Sequence, residues 1–440
     1  MGRTVSSAPG YALDDDFDPR IDDFVSKDRK YIHFDLPLNE ADRVNFCPSR
    51  ADYLYNSFWP LIGYTAEERR AKKDANGNLI FESKKRPIKF GSHRDAALLE
   101  FYSKSLSQDY EKALGGCNFA TSVLAYRSGV GNNIDHSKAL FDEIRLRKNC
   151  VAVAMDISGF FDHINHSTLY DHLLEVRNVT RLDEVDYKIF RRMTAFEWVE
   201  SENLMSRLGR RYGRTGRICY PRDFRTYVRG VKPSVIIINP DNFGIPQGTP
   251  LSGLYANISL LGFDNLMTKF VNSVGGSYRR YSDDLAFLLP EAIDVSNFNK
   301  DVGSALDAVG LKISAQKTHI SRFRVQNGRL ASDRPFQYLG FTFDGERTLI
   351  RQSSLNSYYA KMSRGVRAKV RAAAKQNILS DQIFMRHLFK RYTHFGRSRN
   401  FPRYAYRAAA VHGAPEIRRQ VSRHMNIFKK MVRMAIAAIY

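Results

Sequence analysis

Cysteine is scarce in this 440-residue sequence: Cys47, Cys117, Cys150 and Cys219 are the only four, and none stands at zinc-site spacing. That excludes a disulfide framework and a structural zinc site, and scattered thiols suit a reducing compartment. Long hydrophobic runs are missing too. With no stretch of about 20 apolar residues, no membrane span and no membrane partner are expected. The first residues are polar and then acidic (Asp14, Asp15, Asp16, Asp18), which fits no signal peptide, so the cytoplasm is expected by elimination. Neither an internal repeat nor a long low-complexity segment occurs. Acidic residues are also in deficit: 46 Asp and Glu face 68 Lys and Arg, a net charge of +22. The deficit is deepest in residues 351–440, where only Asp381 and Glu416 oppose 20 Lys or Arg. A charge run is usually a solvated face, but a stretch this one-sided repels itself unless a polyanion is present, and nucleic acid is the first such partner.

Against these absences stands a hydrophobic content of 43%, enough for packed cores over two or three domains or subdomains. Residues 1–30 read as an acid-rich arm. Leu98, Leu99, Tyr102, Leu106 and Tyr110 share one face of a helix over Asp95–Leu114. Residues 71–86 read as a basic hairpin with Asn76-Gly77 as its turn. A short buried strand, Val151–Met155, ends in Asp156, and a helix follows from about Ser167. Residues 176–240, rich in Arg and Gly around Arg207–Arg217, read as an insertion. Pro246 and Gly248 punctuate a loop over Gly244–Gly248, before one long amphipathic helix, Ser252–Val271. Ser277–Leu289 reads as two strands meeting at the acidic turn Ser282-Asp283-Asp284. A helix and strand lead to Phe323, a strand pair lies in Phe336–Ile350, and the chain from Ser353 is helical and basic.

Three of these elements carry chemistry. In VAVAMDISGFFD, Asp156 closes a buried strand, where a carboxylate either caps a turn or holds a divalent metal at a sheet edge. In YRRYSDDLAFLL, the adjacent carboxylates of Asp283 and Asp284 repel each other. They are tolerable in a solvated turn, or with a cation between them and a partner. In GIPQGTPLSGLYAN, Gly244–Asn257, two glycines and a proline surround Gln247 and let a ligand approach the backbone closely.

In this order the three resemble the palm motifs of the reverse-transcriptase family. GLKISAQKTHI (Gly310–Ile320) is similar to the family's fourth motif and FQYLGFTFDG (Phe336–Gly345) to its primer-grip hairpin. KRPIKFGSHRDAALLEFYSKSL and AYRSGVGNNID resemble its fingers motifs. The resemblance covers about residues 80–350. It implies an α+β right-hand polymerase with an antiparallel palm sheet: an N-terminal arm (1–30), fingers (31–150), palm (151–350, with the insertion at about 176–240) and a helical basic thumb (351–440). It also implies RNA-directed DNA synthesis by nucleotidyl transfer, with two Mg²⁺ ions about 3.5–4 Å apart, Mn²⁺ being a possible substitute.

By the same resemblance Asp156 and Asp283 bridge the ions, Asp284 lies in the outer part of the site, and the Ile157 carbonyl completes one coordination shell. Phe161 is the steric gate against a 2′-hydroxyl, although its bland role is a core aromatic. Gln247 meets the templating pair, and Lys317 acts near the leaving group. Arg86 and Lys89 are candidates for the triphosphate, and Arg127 for the template. Tyr281 lies near the primer end, and Arg397, Arg399 and Arg403 among aromatics suit phosphate contact with base stacking. Gly253 stands where the family usually has proline in its second motif. The signatures of retron enzymes are missing; no zinc-binding tail is expected after the thumb, and no ribonuclease H domain is expected after residue 350. The chain is then most similar to bacterial abortive-infection and defence-associated reverse transcriptases. That group implies an RNA template, often a dedicated non-coding RNA, with deoxynucleoside triphosphates, a DNA product, and a second copy or an accessory protein as possible partners. Untemplated or protein-primed DNA synthesis stays open, as does a non-catalytic, maturase-like RNA-binding scaffold.

Overall fold

The computed structural model describes residues 24–73, 79–213, 216–396 and 400–440. Most of the acidic arm, the Asn76-Gly77 turn, Arg397 and Arg399 lie outside the described residues. The chain divides into two compact units, each assembled from separated stretches. Met1–Ala120, Gly159–Gly262 and Val309–Leu311 form the first; Thr121–Ser158, Phe263–Ala308 and Lys312–Tyr440 form the second.

In the first unit, β1 (Leu61–Lys73) and β2 (Leu79–Phe90) pair antiparallel, a longer hairpin than residues 71–86 suggest. β4 (Glu197–Glu200) runs parallel to β1 with Leu61 opposite Trp198, and β5 (Ile237–Ile238) closes the sheet in the order β2-β1-β4-β5. The Arg-rich region thus supplies two strands to the hairpin's sheet, together with helices Glu184–Thr194 and Ser201–Leu208. Phe34, Ile62, Val199, Leu204 and Phe224 make the core beneath it. Helix His93–Gly115 buries Leu98, Leu99, Tyr102, Leu106 and Tyr110, the face expected from their spacing, and Ser92 Oγ accepts the Asp95 amide at its N-terminus.

The single helix expected over Ser252–Val271 is instead two, Ser252–Ile258 and Leu261–Ser273. At the junction the Leu260 amide bonds back to the Asn257 carbonyl, three residues away, and Ser259 Oγ donates to the Ala256 carbonyl. A tightened turn and a hydroxyl competing for the ladder are what interrupt the apolar pattern.

The second unit is built on β3 (Cys150–Ser158). It lies between β7 (Asp284–Pro290) and β9 (His319–Gln326), with β6 (Ser277–Tyr281) beyond β7 and β10 (Arg329–Ser332) beyond β9, all antiparallel. As the centre of the sheet, β3 buries Val151, Val153 and Met155. Each such side chain stabilises by about 1.5–3 kcal/mol. The strand does not end at Asp156 as expected. β8 (Lys312–Ile313) pairs with Ile157 and Ser158 and extends the ladder past the carboxylate.

β11 (Phe336–Tyr338), β12 (Phe341–Phe343) and β13 (Thr348–Ile350) form a three-stranded sheet where two strands were expected. Phe336, Phe341, Phe343 and Ile350 join Phe141 and Ile144 of helix Asn133–Arg147 in one core. From Gln352 the unit is helical. Helix Gln352–Lys375 buries Leu355, Tyr358, Met362, Val366 and Val370, while Lys361, Arg364, Arg367, Lys369 and Arg371 are exposed. All four cysteines are free thiols, and no helix among the described residues is long and apolar enough to cross a membrane.

Candidate active site

Register brings the acidic residues together. In the second unit Asp156 on β3 stands opposite Asp284, the first residue of β7. Tyr281, the last residue of β6, also pairs with Asp284, so Ser282 and Asp283 alone make the turn. Asp283 is tied to β3 as well: its carbonyl accepts the Ile157 amide at 2.9 Å. The Asp156 carbonyl accepts the Ser314 amide at 2.8 Å, and the short helical turn Ala315–Lys317 follows. That turn carries Lys317, whose Nζ is ion-paired with the Asp156 carboxylate. Burial, then the charges of Asp283 and Asp156, push the Asp284 carboxyl up to about 7, against the opposing pull of Lys317 and Arg351. Among the described residues no three His, Cys, Asp or Glu side chains are gathered tightly enough to hold a metal ion. The donor set nonetheless suits a hard divalent cation: oxygen ligands only, on adjoining strands, with like charges that a cation relieves.

The turn itself is held from several sides. Ser282 is a non-glycine residue with φ +60°, 6% exposed. Its Oγ lies 3.2 Å from Tyr126 Oη, and its carbonyl accepts from Arg280 Nη1 at 3.3 Å. Arg280 and Asp264, both fully buried, form a bidentate pair. Sequence reasoning gave Arg280, which precedes the acidic turn, no role, and missed Asp264 and Tyr126. The available signal was alternation: Tyr278 and Arg280 share the inward face of β6, where a charged side chain demands a partner. Tyr281 is half-buried, and burial raises its hydroxyl pKa. Arg127, expected at a template strand, turns Nη1 back to the Val123 carbonyl at 2.9 Å. Arg403 is exposed, and its Nε donates to the His394 carbonyl.

The other candidates belong to the first unit. Phe161 sits in the short turn Phe160–Asp162, and its carbonyl accepts the Ile245 amide at 2.8 Å. That bond ties the turn to the Gly244–Gly248 loop. Gly244 has φ +86°, and a Cβ there would stand 2.9 Å from the Asp162 carbonyl oxygen. Gly248 has φ +126°, and its Cβ would stand 2.9 Å from the Lys89 carbonyl oxygen. Both glycines are therefore required by close backbone approach. The Gln247 carbonyl accepts the Lys89 amide at 2.8 Å, joining the loop to β2. The Lys89 ammonium lies 4.9 Å from the Trp198 ring centre and 5.5 Å from that of Phe196, and burial lowers its pKa. Arg86, also on β2, is exposed.

The comparisons with known proteins bear on these elements. Residues 225–343 match the family model described as reverse transcriptase (RNA-dependent DNA polymerase). The match spans the glycine loop, the Asp283–Asp284 turn and Lys317, and begins after Asp156. No curated protein matches by sequence. Among solved structures, apo telomerase from Candida tropicalis, truncated of its C-terminal domain, is 12% identical with a TM-score of 0.44, covering 66% of this chain and 55% of that one. Telomerase from Candida albicans in complex with a telomeric RNA fragment is 10% identical with a TM-score of 0.39, covering 89% and 66%. The RNA-dependent RNA polymerase of a human picobirnavirus is 12% identical with a TM-score of 0.40, covering 86% and 57%. The chain thus spans about half to two thirds of the length of these structures. Over residues 225–343, about a quarter of its length, the chain is therefore similar to the reverse-transcriptase family, and its described sheets and helices are α+β.

Proposed function

We propose that this chain is an RNA-directed DNA polymerase, with Asp156, Asp283 and Asp284 as its metal-holding carboxylates. The observation that carries the reading is the register pairing of Asp156 with Asp284 beside Asp283, with Asp284 pushed to about 7 by burial and its acidic neighbours. A divalent cation, Mg²⁺ in this reading, would lower the pKa of the attacking 3′-hydroxyl and neutralise the leaving pyrophosphate. Lys317, already on the Asp156 carboxylate, supplies a cation and a proton donor on that side. In this reading Phe161 gates against the 2′-hydroxyl, Gln247 faces the templating pair, and Arg86 with Lys89 attracts the triphosphate. The exposed Lys and Arg of helix Gln352–Lys375 suit a duplex backbone. The template is a dedicated non-coding RNA and the setting is bacterial antiphage defence. Those finer points rest on the sequence resemblance to defence-associated reverse transcriptases.

The test is label incorporation from the four deoxynucleotides with Mg²⁺, using protein purified with its bound RNA. Half of the sample is treated with ribonuclease, and Asp283→Asn and Asp284→Asn variants run beside it. Incorporation that needs both the aspartates and the RNA is expected. Synthesis that survives ribonuclease would replace the reading with untemplated or protein-primed synthesis. Tightly bound RNA with no incorporation would replace it with a scaffold.

A further inference from the structure

The buried ion pair behind the acidic turn does more than fill a core. Arg280 Nε donates to Asp264 Oδ1 at 2.8 Å and Nη2 to Oδ2 at 2.6 Å, and Tyr278 Oη donates to Oδ1 at 2.8 Å. Asp264 thereby fixes the guanidinium plane and cancels its charge. The remaining arm, Nη1, reaches the Ser282 carbonyl, and that carbonyl belongs to the peptide leading into Asp283. Main-chain bonds anchor Arg280 on its other edge, from its own amide to the Ser122 carbonyl and from the Leu124 amide to its carbonyl. At the side chain of Ser282, Tyr126 Oη meets the hydroxyl at 3.2 Å. A serine at φ +60° persists only where its surroundings hold it. Here the two holds are the Arg280 fork and the Tyr126 hydroxyl.

We propose that Arg280, held by Asp264, and Tyr126 are positioning residues that hold Ser282 at its carbonyl and its hydroxyl and so aim the Asp283 carboxylate at its cation. This rests on the reading of Asp156 and Asp283 as metal ligands. The neutral pair suits that task, because it delivers an oriented donor without placing net positive charge behind a cation site. A merely structural pair predicts otherwise: apolar residues of similar volume replace a buried ion pair without loss of stability, and function would follow stability.

The variants are Arg280→Lys, which keeps the charge on Asp264 but lacks the fork; Arg280→Met with Asp264→Leu, which removes both charges; and Tyr126→Phe, at a half-exposed side chain. Each is measured for thermal midpoint, for Mn²⁺ affinity by electron paramagnetic resonance, and for kcat and KM of nucleotide incorporation. The expected result is folded protein with Mn²⁺ affinity down about tenfold in the two Arg280 variants and about threefold in Tyr126→Phe. The kcat falls in the same order, and KM for the nucleotide stays within about twofold. Wild-type Mn²⁺ affinity and kcat in folded Arg280→Lys and Tyr126→Phe would overturn the proposal, whatever the double variant does. If the wild-type chain binds Mn²⁺ but incorporates nothing, the polymerase reading fails, while the Mn²⁺ series still decides whether these residues position Asp283.

Discussion

Replacing Asp284 by Asn removes a carboxyl group whose ionisation the fold resists. Its pKa is raised from 3.8 to about 7, first by burial and then by the charges of Asp283 and Asp156. A carboxyl with a raised folded-state pKa contributes stability that is full below about 3.8 and lost as pH rises through about 7. Between pH 5.5 and 8.5 the two pKa values give a further loss of about 2 kcal/mol. In a unit of this size that is about 4–8 °C of thermal midpoint. The assay is thermal unfolding of the wild type and Asp284→Asn in chelator at both pH values. The amide's altered hydrogen bonding weighs equally at both, so the difference between differences isolates the ionisation. The variant should gain about 4–8 °C on the wild type between pH 5.5 and 8.5. Adding Mg²⁺ at pH 8.5 should raise the wild type and narrow the gap, because cation binding stabilises only the folded carboxylates. A gap that does not change with pH would refute the electrostatic reading of the site.

Two further outcomes follow from other parts of the molecule. Gly248→Ala brings a methyl to 2.9 Å from the Lys89 carbonyl oxygen at φ +126°. It should cost about 1–3 kcal/mol and at least tenfold in incorporation rate, and an alanine variant with wild-type rate and midpoint would show that the loop need not touch β2. His33 is fully buried, and burial pushes its pKa down to about 3 from 6.5. It stays neutral when folded and takes a proton when unfolded, so its contribution is present above about 6.5 and is lost as pH falls towards 3, by about 2 kcal/mol at pH 5. His33→Gln should flatten the denaturant midpoint between pH 7.5 and 5, and an unchanged slope would refute the assignment.

The legible parts of the fold were those with strong local signals. The face of helix His93–Gly115 and the strands around Asp283 follow from periodicity, because burial acts on every third or fourth residue of a helix and every second residue of a strand. The pairing of Asp156 with Asp284 was out of reach, since their positions say nothing of register across 128 residues of sequence. The break at Ser259–Leu260 depends on a hydroxyl's choice of carbonyl, which propensity does not encode. Lys89 is a triphosphate candidate by resemblance, but its surroundings are not legible in the sequence: the ring centres of Trp198 of β4 and the preceding Phe196 come within 4.9 and 5.5 Å of its ammonium. Arg127, a template candidate by resemblance, closes a local bond to the Val123 carbonyl that its position in the sequence does not announce.

The interleaving of the two units has a consequence for synthesis on the ribosome. The first unit has its opening stretch, Met1–Ala120, early, but its last stretch, Val309–Leu311, appears only after a further 191 residues. At ordinary translation rates of about 5–20 residues per second, that is a wait of about 10–40 s. During it β1 lacks its parallel partner β4 until residue 200 has emerged, so the edge from Leu61 to Gly63 stands open as a template for another nascent chain. Neither unit is a contiguous segment, so neither is complete while the other is still being made.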